Sequence, residues 1–127
     1  MTQKMNNCFC GNQKTFDNCC EIYINGIEKA PTAETLMRSR YTAFATQAID
    51  YLIATTHSST RKFHKKSDIL EWSTSNQWSK LEVIDSTENT VTFKAYYFDF
   101  QLKPQIHYEK STFKNENGSW FYVDGEF

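Results

Sequence analysis

The sequence predicts an α+β fold, with helices packed on one face of an antiparallel sheet. Three observations predict it. Apolar residues after Pro31 recur at helical spacing. From Trp78 onward the period of the pattern changes to two. Near the C-terminus Asn117-Gly118 is a strong two-residue hairpin signal. Helices first and a meander of strands after is the order expected of an α+β domain. A fourth observation sets the organisation. All four cysteines, Cys8, Cys10, Cys19 and Cys20, lie within the first 20 of 127 residues. The chain therefore divides into a small cysteine-bearing segment, residues 1–26, and an α+β domain, residues 27–127.

The elements follow in order. Pro31-Thr32 opens the first long helix, with Thr32 as N-cap and Glu34 placed to suit the dipole of the first turn. Met37, Tyr41, Phe44 and Ala48 form its apolar face. A short helix is expected over Asp50 to Thr55. Ser58 to Ser67 is polar and basic and reads as a loop, leading to another short helix near Asp68–Glu71. Strands are expected from Trp78, over Thr90–Gln101, over Gln105–Lys114 and over Ser119–Asp124. Ten phenylalanines and seven tyrosines predict an aromatic-rich core.

Fifteen acidic and 14 basic residues leave a net charge of -1. That balance argues against bulk electrostatic binding of nucleic acid. Two prolines and four glycines exclude collagen-like and Pro/Gly-rich disordered classes. The N-terminus lacks the apolar core of a secretory signal, and no window approaches the ~18 apolar residues of a membrane span. A cytoplasmic protein without a membrane partner is expected. In a reducing compartment clustered cysteines point to metal ligation before disulfides.

Four thiolates close a tetrahedral zinc site of the structural kind, in which no position is left for water. Gly11 and Asn12 supply a tight turn beneath the metal, and Lys14 can offset the charge of the thiolates. Two disulfides, a strained Cys19-Cys20 disulfide and four unrelated thiols are the alternatives. A segment of about 25 residues is too small to hold a fold without a metal or disulfide, so the metal would supply its folding energy.

Cys8-Phe9-Cys10-Gly11-Asn12-Gln13-Lys14-Thr15-Phe16-Asp17-Asn18-Cys19-Cys20 resembles the SEC-C motif, the zinc-binding segment at the C-terminus of the translocase ATPase SecA. Asn12 stands where that motif usually has serine. The following stretch, Ala30 to Phe44, and the C-terminal stretches Ser111-Thr112-Phe113 and Gly118 to Gly125 resemble the YchJ family, also called UPF0225. The resemblance covers nearly the whole chain. It implies a nuclear transport factor 2-like (NTF2-like) cone of helices against a curved sheet, with a structural Zn2+ held by Cys8, Cys10, Cys19 and Cys20. It supplies no assigned reaction. Many YchJ proteins carry a second SEC-C motif near the C-terminus, which this sequence does not show up to Glu126-Phe127. A function requiring two zinc modules is therefore not expected. In SecA the similar segment docks a chaperone partner and ribosomes, which implies a protein partner here.

If Asn117-Gly118 is a two-residue turn, Glu116 opposes Ser119, Phe113 opposes Tyr122, and Ser111 opposes Asp124. One sheet face then carries His107, Glu109, Ser111, Phe113, Trp120, Tyr122 and Asp124. The other carries Tyr108, Lys110, Thr112, Lys114, Phe121 and Val123. The first face, with Arg38 or Arg40 on the helix above, can line a concave ligand site. His107, Glu109 and Asp124 could then do acid/base work, and an arginine could hold an anion. The alternative is structural: Glu109 and Asp124 neutralise a helix arginine and tie helix to sheet.

His57 suits a helix end, and His64 sits in the basic loop. Arg61-Lys62-Phe63-His64-Lys65-Lys66 is the only basic cluster, either a solvated loop or a weak RNA or ribosome contact. There is no phosphate loop, nucleophile elbow or His-Glu-x-x-His pattern. The sequence therefore favours an accessory or interaction protein with the SEC-C segment as docking module. A small-molecule binder or enzyme using the cone is the first alternative, and an RNA-associated protein the second.

Overall fold

The computed structural model describes residues 8–11 and 13–127. Asn12, expected to share the turn beneath the metal, lies outside the described residues.

The described residues begin with the cysteine turn and a short 3-10 turn, Phe16–Asn18. Five helices follow: α1 Cys20–Ile24, α2 Ala33–Thr46, α3 Ile49–Ala54, α4 Ser58–Arg61 and α5 Lys66–Ser75. Then come β1 Gln77–Ser86, β2 Thr90–Phe98, β3 Pro104–Glu116 and β4 Ser119–Glu126. The strands form one antiparallel sheet in the order β1-β2-β3-β4. The α+β architecture read from the sequence is the one observed.

Helix α2 starts as its sequence dictates. Thr32 Oγ1 accepts a hydrogen bond from the Thr35 amide at 3.1 Å, satisfying one of the free donors of the first turn. The helix is buried on more than one face: Leu36, Met37, Ser39, Tyr41, Thr42 and Ala43 are all buried. The reason is that it is covered three times, by the sheet, by the cysteine segment and by α3. Ser39 Oγ is satisfied inside the protein by Leu36 O and the Tyr51 hydroxyl, each at 2.7 Å.

Two segments differ from the sequence reading. Residues 58–67 are not a plain loop. Ser58–Arg61 form α4, and α5 starts at Lys66 and runs to Ser75, longer than expected. Helix α4 is held by contacts distant in sequence: the His57 amide donates to Tyr122 O at 2.7 Å and Thr60 Oγ1 to Val123 O at 2.8 Å. The Arg61 guanidinium folds back onto Thr56 O. Such contacts leave no periodic signal.

The second difference is in the register of the last hairpin. Asn117 and Gly118 both have positive φ, 55° and 84°, as a two-residue turn with Asn-Gly requires. Glu116 opposes Ser119 and Phe113 opposes Tyr122, as expected. Beyond them the register shifts between Thr112 and Phe113, so Thr112 opposes Asp124 and Ser111 opposes Gly125. Val123 is the extra residue of a β-bulge. The bulge turns Asp124 onto the outer face with Thr112, where it is exposed.

One buried cluster joins the cysteines to the domain. Cys8, Cys10, Cys19 and Cys20 pack with Ala33, Leu36, Met37 and Tyr41 of the helices and with Leu81, Val91, Ala95 and Phe113 of the sheet. A second cluster, Ala43, Ile49 and Leu52, joins α2 to α3. Among the described residues no helix is long and apolar enough to cross a membrane.

Candidate functional site

Two places in the molecule concentrate chemistry. The first is the cysteine cluster. Its turn closes through the Cys8 amide to Lys14 O at 2.8 Å and the Gly11 amide to Cys8 O at 3.1 Å. Gly11 has φ +93°, a backbone angle that suits glycine. The 3-10 turn then delivers Cys19 and Cys20 to the other side. All four Sγ atoms lie within 4.8 Å of one another, and all four residues are buried. The Cys10–Cys19 and Cys19–Cys20 separations are 3.7 and 3.9 Å. A tetrahedral sulfur site with Zn–S bonds of about 2.3 Å has edges of about 3.8 Å. The donor set and its spacing therefore fit a metal of zinc's size and preference. None of the four is in a disulfide.

Neighbouring thiols of the cluster also act on one another's protonation. Hydrogen bonds from Cys10 and Cys20 pull the Cys8 thiol strongly down. The Cys20 thiol is pushed up by its neighbours Cys10 and Cys8 and by burial. Sulfurs this close cannot all become thiolates without a cation among them. Arg38 stands beside the cluster. Its Nη1 donates to Cys10 O at 2.8 Å and its Nε pairs with Glu34 at 3.0 Å. It braces the cysteine turn against α2. Lys14 lies beside the same cleft, with Arg38, Cys19 and Cys20.

The second place is a cavity of about 360 Å³ between the helices and the concave face of the sheet. Its floor comes from the alternation of strands. Leu81, Ala95 and His107 lie side by side across β1, β2 and β3, and so do Val83, Phe93 and Glu109. The small Ala95 leaves room beside His107. Met37, Arg40, Tyr41 and Phe44 of α2 form the roof, and Ile69 and Trp72 of α5 form one side. Phe63, His64 and Lys65, from the basic stretch, stand at the same cavity.

Arg40, His107, Glu109, Ser111 and Tyr122 are thus brought together. Glu109 is buried, and its oxygens are taken. His107 Nε2 lies 2.8 Å from Oε1, while Ser111 Oγ and the Tyr122 hydroxyl donate to Oε2 at 2.6 and 3.0 Å. Burial pushes the Glu109 carboxyl up, but these hydrogen bonds and the nearby His107 outweigh it, so the pKa lies below the ordinary glutamate value. An ionised carboxylate only accepts, so His107 carries a proton on Nε2. Burial pushes the Tyr122 hydroxyl above its usual range, as does the adjacent Glu109. Gly125 makes this arrangement possible: a Cβ there would fall 2.1 Å from Glu109 Oε2.

Arg40 does not pair with a carboxylate. Its Nη1 donates to Leu52 O at 2.9 Å and to Thr55 Oγ1 at 2.6 Å, which ties α2 to the end of α3. The guanidinium carbon lies 4.5 Å from the Tyr122 ring centre, a cation–π contact.

Three residues assigned to the site by sequence do not line the cavity. Arg38 is two positions from Arg40, about 200° around the helix, and serves the cysteine turn. Trp120 sits nearer the hairpin end and donates through Nε1 to Pro31 O at 3.3 Å. Asp124 is turned outward by the bulge at Val123. Conversely, the sequence reading missed Thr56, His64, Ile69 and Trp72. The helical spacing of Ile69 and Trp72 was the available signal. His64 is pushed below its usual range by burial and then by the charge of Arg40, so it is neutral at pH 7. His57 is a helix cap: Nδ1 accepts from the Ser59 amide at 3.1 Å, and Nε2 lies 3.1 Å from Glu116.

Comparison with known proteins agrees with both halves of this description. A family model described as YchJ, middle NTF2-like domain, matches residues 32–125. A UPF0225 protein of Geobacter sulfurreducens is 38% identical over 127 residues, covering 94% of this chain and 78% of that protein. The chain belongs to the YchJ (UPF0225) family. A UPF0225 protein of Streptomyces coelicolor is also 38% identical, with 94% of each chain covered. Among solved structures, a SEC-C motif containing protein from Rhodopseudomonas palustris superposes with a TM-score of 0.88 at 32% identity, covering 95% of this chain and 98% of that one. A sec-c motif containing protein from Psychrobacter arcticus gives 0.79 at 30% identity, covering 92% and 80%. The NTF2-like fold and the SEC-C character of the neighbours match the sequence reading.

Proposed function

We propose that this UPF0225 protein is a zinc-stabilised small-molecule-binding protein. The cysteine cluster holds a structural Zn2+, and the NTF2-like cone holds an organic ligand. The observation that carries the reading is the cavity itself. Its about 360 Å³ is not filled by Trp72 or Trp78, which line it rather than plug it. Its volume falls in the lower part of the ~300–1,000 Å³ range of ligand sites, and its mostly apolar walls with a few convergent polar groups suit such a site. A structural role for the metal is supported by four sulfur donors and by their burial, which leave no ligand position open. Thiol ligation also favours a reducing, cytoplasmic location.

The test is direct. Titration with a neutral aromatic such as 2-naphthol should quench tryptophan emission saturably, at one site per chain. Ala95→Phe, which places a ring in the cavity, should abolish the quenching while the protein still folds by circular dichroism. Quenching that survives that substitution overturns the cavity as the site. Elemental analysis should find one zinc per chain, and Cys19→Ser should lose it.

A second reading, the SEC-C segment as a protein-docking module, is favoured by one residue. Phe9 lies between two buried cysteines yet is 49% exposed, its ring edge-on to Phe16 with centres 6.2 Å apart. Phe9→Ser should abolish a protein association while leaving zinc content intact. An association that persists removes this reading.

A further inference from the structure

The polar end of the cavity offers its hydrogen bonds unevenly, and the unevenness bears on the charge of the ligand. Glu109 already accepts from His107, Ser111 and Tyr122, three of its roughly four acceptor positions. A cationic or donor ligand finds little of its capacity left.

Arg40 is the opposite case. Its hydrogen bonds to Leu52 O, Thr55 Oγ1 and Thr56 Oγ1 all leave through Nη1. Nε and Nη2 have no protein acceptor among the described residues, and between them two parallel N–H donors point along one edge of the guanidinium. No side-chain nitrogen or oxygen among the described residues is both buried and unsatisfied, so these two nitrogens are not sealed in the interior, and Arg40 lines the cavity.

The charge of Arg40 is also incompletely matched. Glu109 acts on it only at a distance, without an ion pair, and its close neighbours are carbonyl and hydroxyl oxygens and the face of Tyr122. Burial draws its pKa down to about 10. It is still a cation at neutral pH, held where a cation is costly. His64, neutral beside Tyr122 at a ring separation of 6.0 Å, adds no competing charge.

We propose that the ligand of the cavity is a small, flat, largely apolar acid, bound as its monoanion. Its carboxylate pairs with the Nε/Nη2 edge of Arg40, and its ring lies among Trp72, Trp78 and Phe93. This rests on the cavity being a ligand site, as proposed above. A guanidinium edge with two parallel donors is the geometry that a carboxylate matches in a fork. One open arginine edge suits one negative charge, and the ionised Glu109 in the same cavity opposes a second. The aromatic walls select a planar body: Trp72, Trp78 and Phe93 line the cavity, and the rings of Trp72 and Trp78 pack edge-on with centres 5.6 Å apart.

The experiment uses two probes of the same size and ring system, naphthalene-2-carboxylate and naphthalene-2-carboxamide. Both are titrated into the full-length, metal-loaded protein at pH 7, with affinity read from tryptophan quenching. The Arg40 Nε–H resonance is followed by NMR in the same titrations. The carboxylate should bind at least about 10-fold more tightly, as a charge-assisted pair requires, and it alone should shift the Arg40 resonance strongly. Equal affinity for both probes, or a carboxylate that leaves the Arg40 resonance unmoved, overturns the acid while leaving the cavity reading in place. If neither probe nor 2-naphthol binds, the cavity reading falls as well. Because the wild-type protein carries the comparison, the result does not depend on an Arg40 variant that loses its ties to α3.

Discussion

Glu109 and Gly125 face each other across β3 and β4 so closely that a Cβ on Gly125 would overlap the Glu109 carboxylate, at 2.1 Å from Oε2 and 2.5 Å from Cδ. The backbone of β4 is therefore one wall of the pocket in which Glu109 meets His107, Ser111 and Tyr122. The φ of Gly125 is not positive, so the demand for glycine is steric. Gly125→Ala should force the Glu109 side chain out of its hydrogen bonds and cost about 1–3 kcal/mol, the usual range for overpacking. In a Glu109→Ala background the same substitution should cost much less, because the obstructing group is gone. A double-mutant cycle by urea denaturation measures the coupling. Additive effects would contradict the contact.

The ionised state of Glu109 also ties stability to pH. Its pKa in the folded protein lies below the ordinary value, since its hydrogen bonds outweigh its burial. A depressed carboxylate contributes stability above its unfolded pKa, and that contribution is lost as pH falls through the folded pKa. The unfolded value is about 4.3. Glu109→Gln should therefore be less stable than the wild type at pH 7, by about 1–3 kcal/mol for imperfectly replaced buried hydrogen bonds. The gap should narrow as pH is lowered from 5 towards 3. Parallel urea midpoints across that range would check it, and a gap that widens on acidification would refute the assignment.

These relationships show which parts of the molecule were legible in the sequence. The Asn117-Gly118 turn was, because its backbone angles are a local property of the two residues. The cysteine cluster was, because its four thiols sit within 13 positions. Arg40 could not be separated from Arg38 by pattern. Both lie on α2, and which one meets the cavity depends on the cysteine segment covering the other side of the helix. The bulge at Val123 was invisible for a similar reason. Tyr122 is clamped by residues 55–57, with its amide donating to Thr55 O and its carbonyl accepting from the His57 amide. That pairing is distant in sequence and decides where Asp124 points.

The shared core makes a prediction about metal removal. The four cysteines pack directly with Leu36, Met37, Tyr41 and Leu81, and Arg38 hydrogen-bonds from α2 to the cysteine turn. Loss of a bound zinc should therefore lower the melting temperature of the whole domain. A strong chelator should shift a single transition followed by far-ultraviolet circular dichroism and by tryptophan emission, and zinc should restore it. A chelator that melts only the first 26 residues, with the tryptophan transition unchanged, would show that the packing between them carries little energy.

Helix α2 ends on Gln47, in the left-handed conformation with φ 63° and ψ 37°. The Ala48 amide bonds to Ala43 O at 2.8 Å, closing the last turn. A side chain in this conformation crowds the following carbonyl, and the position at a helix end is one where glycine is usual. Gln47 is exposed and gives no hydrogen bond from its side chain that would offset the strain. Gln47→Gly relieves the crowding and costs some unfolded-state entropy, so the net gain should be about 0.5–1 kcal/mol. Gln47→Ala keeps the crowding and should gain nothing. Thermal denaturation of the two variants beside the wild type separates them. If alanine stabilises as much as glycine, the benefit comes from losing the glutamine side chain and not from the backbone angle.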